Sequence, residues 1–181
     1  KGGMSAIIGL DADTVEKACA DTSRETGLCV VPANYNCPGQ IVISGDKAAV
    51  DRAGEILKEA GAKLVAPLNV SGPFHSPLLE TAGERLAETL AGVKFGEAKI
   101  PYICNVTAEK VTDTSLTADM LVRQVYSPVR WEQSVRLMLE EGVEEFIEIG
   151  PGKTLAGFMK RIDRSVPVIT VGSVADIEKL A

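Results

Sequence analysis

Apolar positions along the chain switch between a short-run rhythm and a helical one. Met4, Ala6, Ile7 and Ile8 form an apolar run that predicts a strand over residues 4–9. Residues 13–23 carry helical spacing, opening on Asp13 with Glu16 three positions on, the spacing of a capping box. Apolar runs at 28–31 and 41–44 predict a second and a third strand. The stretch Asn34-Tyr35-Asn36-Cys37-Pro38-Gly39-Gln40, rich in Asn, Pro and Gly, predicts the turn between them. Over residues 46–60, Val50, Ala53, Ile56, Leu57 and Ala60 share one helical face, and residues 63–67 predict a fourth strand after Gly61. The order β-α-β-β-α-β is that of a ferredoxin-like unit, expected over residues 1–67.

Beyond residue 67 the elements alternate differently. Residues 77–90 predict an amphipathic helix with Leu79, Ala82, Leu86 and Leu90 inward. A short strand follows at 101–105, then helices at 116–126 and 131–140 and a strand at 146–149. Next come a helix at 153–162 with Leu155, Phe158, Met159 and Ile162 on one side, a strand at 167–171 and a last helix at 175–180. Alternating strands and helices predict an α/β fold with an open, mostly parallel sheet covered on both faces. Three short strands make a poor sheet alone, so residues 68–181 are expected to complete a larger one. The opening Lys1-Gly2-Gly3-Met4 runs straight into the first strand, which suggests part of a longer chain.

Composition narrows the function classes. With 45% hydrophobic and 24% charged residues among 181, the chain reads as an ordinary soluble globular protein rather than a disordered one. A net charge of −6 argues against a general nucleic-acid binder, which needs excess Lys and Arg against phosphates. No apolar run is long enough to span a membrane, and no signal peptide is evident. Cys19, Cys29, Cys37 and Cys104 show neither C-x-x-C nor metal-ligand spacing; they read as reduced structural thiols of a cytoplasmic protein, with no metal site.

His75 is the only histidine, in Gly72-Pro73-Phe74-His75-Ser76-Pro77. Ser76 reads as a helix N-cap and Pro77 as the first helical residue. A lone histidine is more often structural than chemical, but a proline-bracketed junction of strand and helix holds a side chain at the mouth of an α/β sheet. A base needs a nucleophile, and no G-x-S-x-G elbow exists in these residues; Ser5, Ser44 and Ser173 each sit near a glycine without completing one. Glu148-Ile149-Gly150-Pro151-Gly152-Lys153 is a strand-turn-helix whose first helical N–H groups could hold an anion. Arg123 and Gln124 read as solvated helix surface. Lys160, Arg161 and Arg164 form a small basic cluster, by default a solvated face and otherwise a dock for an acidic partner.

Five segments in order carry a resemblance: NYNCPGQIVISG from Asn34, AGAKLVAPLNVSGPFHSP from Ala60, PYICNV from Pro101, LVRQVYSPVRW from Leu121 and FIEIGPGKTL from Phe146. The chain thereby resembles the malonyl-CoA:acyl-carrier-protein transacylases of fatty-acid synthesis and the acyltransferase domains of polyketide synthases. The resemblance implies a ferredoxin-like subdomain over 1–67, followed over 68–181 by the C-terminal part of an α/β-hydrolase-like acyltransferase domain. It implies transfer of a malonyl group from CoA to the phosphopantetheine thiol of acyl carrier protein through an acyl-serine, with no bound cofactor. The family's serine elbow, carboxylate-binding arginine and oxyanion loop would lie in an absent N-terminal part of the same enzyme, so this piece alone would be inactive. His75 matches the catalytic histidine and Gln124 the position whose backbone carbonyl orients it. Asn36 matches an asparagine facing the cleft. Phe74 matches the residue before the histidine, where Phe accompanies malonyl and Ser methylmalonyl in the polyketide domains. Cys37 departs from the usual Ser, a change between two small residues. Carrier protein would dock on Lys160, Arg161 and Arg164. The alternatives are a ferredoxin-like binding module without chemistry and a polyketide-synthase domain.

Overall fold

The computed structural model describes residues 2–179, which divide after Ser134 into two compact units. The first unit opens with β1 (Gly2–Ile8), α1 (Ala12–Thr26), β2 (Val30–Cys37), β3 (Gln40–Asp46), α2 (Lys47–Glu59) and β4 (Leu64–Pro67). These four strands form one antiparallel sheet in the order β2-β3-β1-β4, the ferredoxin-like arrangement expected from the element order. Both faces of β3 are packed, Ile41 and Ile43 into the main core and Val42 into a smaller cluster, so all three are buried rather than alternating. Ile7, Ile41 and Ile43 pack with Val15 and Cys19 of α1 and Val50, Ala53 and Leu57 of α2 in the main core. Met4, Ala33 and Val42 form a smaller cluster on their own. Burying a side chain such as Ile or Leu contributes about 1.5–3 kcal/mol, so this core holds the unit together.

Three local expectations change. The cap of α1 is Asp11, not Asp13: the Asp11 carboxylate accepts the Thr14 N–H at 2.8 Å, which holds its pKa below the usual carboxylate range. Glu16, freed from capping, accepts the Tyr35 hydroxyl at 2.6 Å instead. The turn expected over residues 34–40 is mostly strand. β2 runs on to Cys37 with register shifts at Pro32/Asn34 and Tyr35/Cys37, and only Pro38 and Gly39 make the turn. Turn-rich composition loses there to pairing on both edges: β3 on one side, and on the other Val129, whose carbonyl accepts Tyr35 N–H at 2.9 Å while its N–H donates to Ala33 at 2.8 Å.

After β4 come a short 3₁₀ turn (Pro77–Leu79), α3 (Glu80–Leu90), the hairpin strands β5 (Tyr102–Cys104) and β6 (Glu109–Val111), a 3₁₀ turn (Thr114–Leu116), α4 (Thr117–Tyr126) and α5 (Trp131–Glu140). β6 was not foreseen. The inward face of α3 uses Gly83, its one fully buried residue, where Ala82 was expected; Ala82 is exposed. A periodicity count passes over glycine because it brings no side chain, yet here it admits Tyr126 of α4, whose ring carbons would stand 2.8 Å from a Cβ.

The second unit contains β7 (Phe146–Ile149), α6 (Thr154–Ile162), β8 (Val168–Val171) and α7 (Val174–Glu178), with β7 and β8 paired in parallel. The last residue of the helix expected over 175–180 lies outside the described residues. In place of one mostly parallel sheet after residue 67, the described residues make an antiparallel pair and a separate parallel pair.

Candidate functional site

His75 stands in a turn with left-handed backbone, φ 58. For a residue with a Cβ that conformation costs about 1–3 kcal/mol and persists only where surroundings hold it. Two hydrogen bonds do so. The His75 N–H donates to Val125 O at 3.2 Å, and ring Nδ1 lies 2.8 Å from Gln124 O. Both carbonyls belong to the last turn of α4, where helical carbonyls lack partners within the helix. Because a carbonyl oxygen only accepts, Nδ1 carries the hydrogen, which leaves the lone pair on Nε2. That is the tautomer of a base that takes its proton through Nε2, while the negative end of α4 faces the opposite edge of the ring.

The turn is stiffened from within. Ser76 occupies the N-cap position ahead of Pro77, but its hydroxyl makes no capping bond; it donates to Pro73 O at 2.7 Å and is fully buried. The expected cap is therefore a brace across the His75 turn, and Ser76 is unavailable as a nucleophile. Ser5 and Ser44 lie buried in β1 and β3, and the Ser173 hydroxyl donates to Asp176 at 2.8 Å.

Gln124 is half-buried rather than solvated surface, unlike Arg123, which is exposed and 3.9 Å from Asp119. While its backbone carbonyl meets His75, its side-chain Nε2 donates to Ser127 O at 3.0 Å and Pro128 O at 3.3 Å. Pro128 forces Ser127 into extended backbone and so ends α4 there. The strap then continues through Val129, bound to β2, to Arg130, whose N–H donates to Asn105 O at 2.9 Å and whose guanidinium lies 5.8 Å from the centre of the Tyr35 ring. Tyr35 is buried and bonded to Glu16, which pushes its phenol well above the usual range. Asn36, half-buried on β2, follows directly on Tyr35, so the strap ties its strand to the helix end that holds His75. Composition gave no sign of this strap; the Ser-Pro pair at its start was the one legible signal. Phe74, beside His75, is 43% exposed, a large ring partly open to solvent.

The remaining sequence candidates lie elsewhere. The helix start after Gly152 is no free anion site, because the Glu148 carboxylate already accepts Leu155 N–H at 3.0 Å and Ala156 N–H at 2.8 Å. Lys160 and Arg161 end α6 and Arg164 follows; all three are exposed, and Arg164 Nε donates to Lys160 O at 3.3 Å. Among the described residues no His, Cys, Asp and Glu cluster to hold a metal, and no helix is long and apolar enough to cross a membrane. None of the four cysteines is in a disulfide, and burial pushes the Cys19 thiol up to about 12.

Residues 1–178 match the family described as acyl transferase domain. The chain is similar to the malonyl CoA-acyl carrier protein transacylase of Bacillus subtilis (strain 168), 46% identical over 178 residues, which are 98% of this chain and 56% of the relative. It superposes on an acyl carrier protein S-malonyltransferase from Vibrio cholerae O1 with a TM-score of 0.95 and 47% identity, covering 99% of this chain and 58% of that one. A type II PKS acyl-carrier protein in complex with its malonyl-transacylase also matches, with a TM-score of 0.94, 41% identity, and coverage of 98% of this chain and 57% of that one. The chain thus spans a little over half the length of these relatives.

Proposed function

Because the chain belongs to the acyl transferase domain family, we propose that it supplies the general base of a malonyl-CoA:acyl-carrier-protein transacylase. The observation that carries this reading is the Nδ1 contact of His75 with Gln124 O at 2.8 Å, which orients Nε2 as acceptor. In the proposed reaction, Nε2 takes the hydroxyl proton of a serine outside these residues as its oxygen attacks the thioester carbonyl of malonyl-CoA. The carbon–sulfur bond breaks, CoA leaves as the thiol with the proton from the imidazolium, and malonyl remains on the serine. The phosphopantetheine thiol of carrier protein then gives its proton to Nε2 and attacks the acyl-serine; the serine oxygen departs and recovers the proton. Gln124 acts through its carbonyl as a positioning residue. Asn36 and Phe74 would line the cleft, Phe74 as an apolar wall on the acyl side. No bound cofactor takes part, and a cytoplasmic setting agrees with four cysteines outside any disulfide. Over residues 1–67 the ferredoxin-like subdomain would form one wall, and residues 68–181 would belong to the catalytic domain. The non-catalytic alternative is set aside by the family match over residues 1–178.

Incubation with radiolabelled malonyl-CoA tests this reading. The full-length protein acquires label on a serine and passes it to holo carrier protein, whereas the 181-residue chain alone acquires none, having no serine elbow. Stoichiometric label on the 181-residue chain would refute the division of roles.

Docking of an acidic carrier on the exposed end of α6 gives a separate expectation. Reversing Lys160 and Arg161 to Glu in the full-length protein raises the KM for carrier protein and blunts its salt dependence, with KM for malonyl-CoA unchanged. Equal effects on both substrates count against docking there.

A further inference from the structure

The turn bearing His75 is held at three points. Two are the α4 carbonyls under His75 and the Ser76 brace to Pro73 O. The third is the Pro73 ring against the start of β1. At Gly2 a Cβ would stand 2.5 Å from Pro73 Cγ and 2.6 Å from Pro73 Cβ, distances that real side chains do not reach, so only bare backbone fits beneath the ring. At Gly3, one residue on, a Cβ would meet Lys47 at 3.6–3.7 Å, an ordinary contact. Both glycines are fixed in the sheet, Gly2 paired with Asp46 and Gly3 with Gly45. Neither side of the Gly2–Pro73 contact has a rotamer through which to yield: one is sheet backbone and the other a closed ring.

We propose that Gly2 is a positioning residue for His75, the seat on β1 that sets where the Pro73 turn presents the imidazole to the end of α4. A methyl on that seat displaces Pro73, and only Phe74 separates Pro73 from His75. The histidine backbone is already in the left-handed region, so the turn has little slack to absorb a shift before the ring loses its alignment on Gln124 O. Misplacing a catalytic group by about 1 Å can cost on the order of 10²-fold in rate.

The inference rests on His75 being the base of malonyl transfer, so the test uses the full-length protein beside His75→Ala. Gly2→Ala is expected to lower kcat by about 10- to 100-fold, with KM for carrier protein close to that of Gly3→Ala. Gly3→Ala keeps the wild-type kcat. In a Pro73→Gly background, which removes the ring, Gly2→Ala has no further effect on kcat; that coupling is what a merely structural glycine would not produce. Equal kcat for Gly2→Ala and Gly3→Ala, or an undiminished loss in the Pro73→Gly background, overturns the proposal. If Gly2→Ala does not fold, Pro73→Gly alone decides: a folded variant with reduced kcat supports the seat, and one with wild-type kcat overturns it. Loss of activity in His75→Ala but not in Gly2→Ala defeats this inference alone, whereas wild-type activity in His75→Ala defeats the reading of the site beneath it.

Discussion

With His75 replaced by alanine, the full-length protein is expected to transfer malonyl groups about 10²- to 10⁴-fold more slowly, the usual worth of a general base. The fold should survive the change. Alanine keeps the backbone N–H that donates to Val125 O, the bond that holds the left-handed turn against the end of α4. What disappears is one hydrogen bond to Gln124 O, worth about 1 kcal/mol net. Both half-reactions should slow together, since the same Nε2 serves the serine and the incoming thiol. Acylation from malonyl-CoA and deacylation by carrier protein, followed separately by rapid quench, measure this. A variant with near-normal rates and an unchanged circular dichroism spectrum would remove His75 from the chemistry.

The second large effect is on stability. Gly45→Ala should destabilise the four-stranded sheet by about 3 kcal/mol, at the upper end of what overpacking costs. At that point β2 passes so close that a methyl would collide with Cys29 C and Val30 Cα, each 2.8 Å away, and more severely still with the Cys29 carbonyl oxygen. All of these are main-chain atoms, and they cannot retreat. Cys29 O accepts the Asp46 N–H at 2.7 Å, and the Asp46 carboxylate accepts the Cys29 N–H at 2.9 Å, so strand and neighbour are clamped where the methyl would enter. Gly157→Ala makes the contrast. It faces open space within α6, and there alanine improves helix propensity by about 1 kcal/mol. Midpoints of urea unfolding for the two variants should therefore move in opposite directions. A Gly45→Ala midpoint equal to that of the unmodified protein would show that β2 and β3 can separate there without loss.

The site is less legible in the sequence than the elements that carry it. Proline on either side of Phe74-His75-Ser76 marks a rigid junction, and the family resemblance singles out His75 and Gln124. The partner of the histidine, however, is a main-chain carbonyl. Every residue has one, so no residue type advertises it. Ser76 shows the same difficulty in reverse: a serine before a proline at a helix start has the chemistry of a cap, and only the proximity of Pro73 O diverts its hydroxyl inward. Glu148 is a third case. The Gly-Pro-Gly turn does present helix N–H groups to an anion, and the anion is the chain's own carboxylate, seven and eight residues back.

By itself the sequence determined the element order from β1 to β4, because strand and helix periods are local properties of where apolar residues recur. It therefore determined the ferredoxin-like connectivity and the amphipathic α2, expected over 46–60 and found over Lys47–Glu59, and it placed α5 and β7 with the bounds that the structure has. Tertiary structure decided what local composition could not. It made Asn34 to Cys37 strand because Val129 pairs with the outer edge of β2, a contact between residues far apart in the chain. It chose Asp11 over Asp13 as the cap, leaving Glu16 for Tyr35. It turned Gly2, Gly45 and Gly83 from apparent punctuation into close-approach points, since what a glycine excludes depends on the element lying against it. And it set the imidazole of His75 on Gln124 O and the His75 N–H on Val125 O, at the end of α4, where a helix leaves acceptors without partners of its own.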